Sequence, residues 1–96
     1  MPSYRLTRKS EEDLFAIAVY GIEQFGVLQA RLYRDKFLAH FAALAETPAL
    51  YQRVDFVREG YRRSVCGVHS IYYRQDGEIV EIVRVLGQQD TRVLQK

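Results

Sequence analysis

The sequence predicts an α+β fold: a short N-terminal strand, then an α-helical hairpin packed on a small antiparallel β-sheet, in the order β-α-α-β-β-β. Three observations predict it. Apolar residues recur at helical spacing on both sides of Gly26. The chain from 47 to 59 has no clear period. Beyond Gly60, short apolar runs flank an Asp76-Gly77 turn signal. With 96 residues, the chain has room for one domain, spanning 1–96. A content of 48% hydrophobic and 27% charged residues belongs to a folded chain.

Tyr4-Arg5-Leu6 alternates and suits a brief strand. Ser10 followed by Glu11, Glu12 and Asp13 reads as a helix cap with acids in the first turn. Thr7 is an alternative cap one turn earlier. Leu14, Ile17, Ala18, Gly21, Ile22 and Phe25 form the helix stripe, and Phe15 and Val19 form a second stripe beside it. Gly26 ends this helix. Ala30, Tyr33, Phe37, Phe41 and Leu44 make the stripe of the next, with Leu38 and Ala45 alongside, and Pro48 limits it. Two helices joined by so tight a turn form an antiparallel hairpin. Strands are expected at 61–66, 68–74 and 79–86, with Asp76-Gly77 as a type I′ turn between the last two. Residues 87–96 are a polar tail carrying Val93 and Leu94.

The charges are nearly balanced, with 14 basic and 12 acidic residues and a net charge of +2. That sum is too mild for a protein driven onto nucleic acid by a dominant basic patch. The distribution says more. Residues 1–48 carry six basic and six acidic groups; residues 49–96 carry eight and six. Eleven of the basic residues are Arg, and five lie between Arg53 and Arg74 against Asp55 and Glu59. Arginine suits ion pairs and carboxylate or phosphate recognition, although a solvated face has the same composition. Cys66 is alone, so no disulfide can form within the chain. Two His and one Cys, scattered along the sequence, make no metal site. No membrane span and no signal core stand out, so a cytoplasmic protein is expected.

The last strand has apolar residues on both faces: Ile79, Val83 and Val85 with Glu81 on one, and Val80, Ile82 and Leu86 with Arg84 on the other. The hairpin can cover only one face. The other is a binding surface, or the strand is central and doubly buried.

Specific residues now accumulate in order: Leu6, Asp13-Leu14, Ile17 and Tyr20; Phe25-Gly26, Gln29-Ala30 and Tyr33; Phe41, Leu44-Ala45 and Pro48; Gly60-Tyr61-Arg62-Arg63; His69, Ile71-Tyr72-Tyr73-Arg74; Ile82-Val83-Arg84-Val85-Leu86. From about Tyr4 to Leu94 this order and spacing resembles the ParE toxins, within the RelE/ParE superfamily of type II toxin–antitoxin systems. The resemblance implies a small toxin that inhibits DNA gyrase without catalysis or cofactor. It also implies a ParD-type antitoxin partner of the ribbon-helix-helix class, with DNA reached only through antitoxin or gyrase. An antitoxin segment that folds on binding would cover apolar surface and pair its acids with arginines. Tyr61, Arg62, Arg63, Tyr72, Arg74 and Arg84 are the expected antitoxin contacts. Asp90, Arg92 and Leu94, in the tail, are the expected target contacts. Where many relatives carry His and then Met-Asp after the last strand, this chain reads Gly87-Gln88-Gln89-Asp90.

The alternative is a RelE-type, ribosome-dependent mRNA endonuclease. Such cleavage needs a general base, a general acid and cations for the developing phosphorane charge. His69, Tyr72, Tyr73 and several Arg supply those residue types. Strand alternation, however, puts His69 with Ile71 and Tyr73, and puts Tyr72 with Arg74 on the opposite face. Residues 87–95 contain no Tyr, His or Lys to act as a C-terminal acid or base. His40, beside the second helix stripe, reads as a surface or packing residue rather than a ligand.

Overall fold

The structure is a computed structural model that describes residues 3–87. Its elements are β1 (Ser3–Leu6), α1 (Arg8–Phe25), α2 (Val27–Glu46), β2 (Arg62–Cys66), β3 (His69–Asp76) and β4 (Ile79–Gly87). The sheet order is β1-β4-β3-β2. β2, β3 and β4 are antiparallel as expected, but β1 runs parallel to β4, with Ser3 opposite Ile79 and Leu6 opposite Ile82. No tight turn links these two strands, so nothing local imposes an antiparallel pairing.

Thr7, not Ser10, caps α1. Its Oγ1 accepts the Ser10 N–H at 3.0 Å. Ser10 lies inside the first turn, fully buried, with its hydroxyl donating to the Thr7 carbonyl. A single residue, Gly26, separates α1 from α2. The core joins α2 to one sheet face: Phe37, Phe41 and Leu44 pack on Ile71, Tyr73, Val80, Ile82 and Val85. Tyr4 meets Phe41 edge-on at 5.6 Å between ring centres.

The expected faces of β4 hold only for its first half. A bulge lies between the pairs Tyr72–Arg84 and Tyr73–Ile82, leaving Val83 as the extra residue. The alternation therefore shifts by one, and Val85 joins Val80 and Ile82 in the core while Leu86 turns to the opposite face. That opposite face is closed in part by the chain's own connector. Val54, Val57 and Tyr61 pack there on Tyr72 and Leu86. The connector is stitched down by Val54 N–H to the Tyr61 carbonyl and by Arg63 N–H to the Gln52 carbonyl.

The β3–β4 turn also differs from its expected type. Asp76 pairs with Ile79, so Gly77 and Glu78 are the central residues. Gly77 has φ 64°, and no non-glycine residue among those described has positive φ. Glycine alone in the first central position is the type II′ arrangement, not I′.

Candidate functional site

An apolar groove of about 550 Å³ lies between the helical hairpin and one end of the sheet. Leu14, Ile17, Ala18, Gly21 and Phe25 of α1 form one wall. Ala30, Tyr33, Phe37 and Leu38 of α2 form the other, and Gly67, Val68 and His69 of the β2–β3 turn close an end. The helical spacing of both stripes aims them at the groove. Gly21 lets the helices approach, since a Cβ there would already touch Ala30 Cβ at 3.4 Å.

Tyr33 anchors the closed end. Its hydroxyl lies 2.8 Å from His69 Nδ1 and 3.3 Å from the Cys66 carbonyl, and it accepts the Val68 N–H at 3.4 Å. Gly67 is required beside it: φ is 62°, and a Cβ would fall 2.4 Å from the Tyr33 hydroxyl. Burial holds the His69 imidazole below its ordinary pKa and pushes the Tyr33 phenol up. Among the described residues, the polar lining is Tyr20, Gln29, Tyr33, Arg34 and His69, with no carboxylate. The groove thus offers apolar surface with one cation, Arg34, at its edge, which suits an amphipathic segment bearing an acid. Phe15 of α1 also lines the groove while 71% exposed, and beyond the rim Val19 and Ile22, 39% and 45% exposed, extend the apolar surface.

The expected contact residues do not form one open patch. Tyr72 is 1% exposed on the connector side of the sheet, and its hydroxyl has no hydrogen-bond partner. Tyr61 is half-buried against it. Arg62 donates to the Tyr51 carbonyl at 2.6 Å, and Arg63 donates to Ser70 Oγ at 3.0 Å. Arg74 pairs with Glu81 at 2.7 Å, and Glu81 also meets Arg5, which ties β1, β4 and β3 together. These arginines hold the Glu81 carboxyl below its usual range against the opposing effect of burial. Arg84 is bound by Asp13. Tyr72, Arg74 and Arg84 therefore form no open cationic patch, because Arg74 and Arg84 neutralise acids of the fold. Asp90, Arg92 and Leu94 lie outside the described residues.

The groove itself was not singled out from the sequence. The signal for it is Phe15, exposed beside the α1 stripe, together with the apolar excess on α2. The nuclease residues do not converge. His69 is bonded to Tyr33 and packs edge-on against Phe37 at 5.7 Å. His40 bonds the buried Ser64 hydroxyl at 2.7 Å. No group of three metal-ligating side chains occurs among the described residues, and no helix there is long and apolar enough to cross a membrane.

Comparison with known proteins agrees with this architecture. The family described as ParE toxin of type II toxin-antitoxin system, parDE, matches residues 4–92. Toxin ParE1 of Caulobacter vibrioides is 41% identical over 88 residues, covering 92% of this chain and 91% of that protein. Toxin ParE1 of Mycobacterium tuberculosis is 31% identical over 86 residues, covering 88% of each. Among solved structures, a chain from the chromosomal ParDE system of P. aeruginosa superposes with a TM-score of 0.78 at 21% identity, covering 91% of this chain and 96% of that one. A chain of the RelBE2 toxin–antitoxin complex of Mycobacterium tuberculosis superposes at 0.60 and 22% identity, covering 92% and 100%. At those identities the two structures speak for the fold, while the family match and the curated relatives speak for kinship. The chain belongs to the ParE toxin family of type II toxin–antitoxin systems.

Proposed function

We propose that this toxin inhibits DNA gyrase without catalysing a reaction, and that a ParD-type antitoxin silences it by filling the apolar groove. The observation that carries the antitoxin half is the groove: about 550 Å³ of apolar space with Arg34 and His69 at its edge and no acid lining it among the described residues. An antitoxin segment with apolar residues at helical spacing and acids on its flank fits that chemistry. Arg62, Arg63 and Arg74, each half-buried, keep part of their surface open for acids of a longer antitoxin tail. Arg84 and Tyr72 act through the fold rather than by contact.

Two features favour binding over catalysis. His69 and Tyr33 are bonded to one another beside apolar side chains, and Arg74 and Arg84 face acids of the fold while Arg62 and Arg63 bond the Tyr51 carbonyl and Ser70, instead of sharing a common open point. Gyrase contact is assigned to Asp90, Arg92 and Leu94. The test is a supercoiling assay with purified toxin, run beside translating ribosomes. Loss of supercoiling with accumulation of cleaved DNA supports the proposal, and substitution of Leu94 by Asp should weaken it. Intact supercoiling together with cleaved mRNA would establish the endonuclease reading instead. For the antitoxin, Ala18→Arg should block the groove and abolish the complex; unchanged affinity would place the antitoxin elsewhere.

A further inference from the structure

The closed end of the groove holds a side chain whose hydrogen bonding is unfinished. His69 lines the groove and packs edge-on against Phe37, with Nδ1 2.8 Å from the Tyr33 hydroxyl. That hydroxyl has one proton and donates it to the Cys66 carbonyl at 3.3 Å. The 2.8 Å bond is then donated by His69, with the ring proton on Nδ1. Tyr33 Oη accepts from His69 and from the Val68 N–H, and its capacity is filled. Nε2 is left with a bare lone pair. It has no hydrogen-bond partner among the described residues and is not sealed from solvent.

The network fits an imidazolium as it stands. A proton added at Nε2 leaves Nδ1 donating to Tyr33, so no bond has to be remade. What the free protein lacks is the counter-charge. From α2 the ring is faced by Tyr33, with Arg34 at the rim; from β2 by Cys66; and across the groove, from α1, by Tyr20. Lys36 and His40 lie further along α2, where Lys36 acts on Cys66 and His40 bonds Ser64. No carboxylate lines the groove among the described residues. Burial alone sets the state of the free ring, and it favours the neutral form.

Resting on the groove as the seat of the antitoxin, we propose that a carboxylate side chain of the antitoxin docks on His69 Nε2, and that the imidazole takes up a proton from solvent as the complex forms. No covalent bond between heavy atoms changes. The carboxylate stays ionised, and the new Nε2–H donates to its oxygen. The filled groove excludes water, which strengthens this charge-assisted bond. A backbone carbonyl fits less well, because it needs Nε2–H on a neutral ring. That tautomer takes the proton from Nδ1, and the Tyr33–Cys66 bond is given up. A hydroxyl or amide donor could meet the neutral ring, but Arg34 beside it favours an acid.

The complex then holds one more proton than its free components, so its association constant rises as the pH falls. Calorimetric titration of the full chain with the antitoxin, in buffers of different ionisation enthalpy, counts that proton. Uptake approaching one proton is expected near pH 7, with affinity rising by roughly threefold to tenfold per pH unit between about pH 8 and 6.5. His69→Asn keeps a side-chain N–H near the place of Nδ1 and cannot titrate, so it should lose both the uptake and the slope. The His69 Cε1–H resonance of the unsubstituted chain gives the same reading without a variant. Its titration midpoint should rise by about one pH unit or more on binding. No proton uptake, in a complex that Ala18→Arg still blocks, overturns this inference and leaves the groove reading standing. Uptake that persists in His69→Asn overturns it too. Binding untouched by Ala18→Arg overturns the groove reading and this inference together.

Discussion

The Asp13 carboxylate holds Arg84 and the β4 backbone at once. Its two oxygens accept Arg84 Nε and Nη2 at 2.8 and 3.0 Å, and one also accepts the Val85 N–H at 2.9 Å. β1 ends at Leu6, opposite Ile82, so β4 beyond that point has lost its strand neighbour. Asp13 serves the exposed edge in its place, and Thr7 does the same for the Val83 carbonyl. The pair is largely shielded, with side chains 13% and 18% exposed, and Asp13 raises the Arg84 pKa above its ordinary value. Asp13→Ala leaves both a guanidinium and a backbone N–H unpartnered and should cost roughly 2–4 kcal/mol. Arg84→Ala leaves Asp13 with the Val85 N–H and should cost roughly 1–2 kcal/mol. Urea denaturation of both variants checks the order.

Adjacent tyrosines make a matched contrast. Tyr73 donates its hydroxyl to the Pro48 carbonyl at 2.8 Å, whereas the Tyr72 hydroxyl is buried without a partner. Tyr73→Phe should therefore destabilise by about 1 kcal/mol, and Tyr72→Phe should be neutral or stabilising by up to about 1 kcal/mol. Denaturation midpoints of the two variants should move in opposite directions or differ clearly in size.

Gly67→Ala should test how the groove is closed. The new Cβ meets both a left-handed backbone and the Tyr33 ring. A loss of about 1–3 kcal/mol is expected. Tyr33 fluorescence and antitoxin affinity should change with it, since Tyr33 forms the groove's end.

Stability should fall on both sides of neutrality. Burial keeps the folded pKa values of His40 and His69 below those of the unfolded chain. The unfolded state therefore takes up protons first, and stability declines as the pH drops through about 6.5. Asp76 and Glu81 are held low by arginines, which adds a second decline below about pH 4. On the alkaline side burial pushes Tyr73 up to about 12. The unfolded tyrosine ionises first, so stability falls above about pH 10. Denaturation midpoints measured across pH should show all three steps, and His40→Gln with His69→Gln should flatten the one near 6.5.

The helices and hairpins were legible because their signals are local. The stripe through Phe37, Phe41 and Leu44 and the glycines at 26, 67 and 77 needed no knowledge of distant residues. What escaped the sequence is non-local. The bulge at Val83 follows from pairing with β3 and changes which β4 side chains enter the core. The parallel β1 depends on a strand more than seventy residues away. The candidate site suffered in the same way. Arg74 and Arg84 looked available because Glu81 and Asp13 sit on other elements. The groove exists only once α1, α2 and the β2–β3 turn have been brought together.

The docking of the N-terminal segment on β4 also bears on how the protein is made. Ser3–Leu6 pairs with Ile79–Ile82, and Asp13 waits for Arg84 and Val85. β1 thus has a partner more than seventy residues further along the chain. Such long-range pairings raise contact order and slow folding. They also deny this domain the usual N-to-C sequence of folding during synthesis. The sheet cannot close until β4 has been made, so a nascent chain stalled before residue 79 lacks the strand on which both β1 and β3 pair.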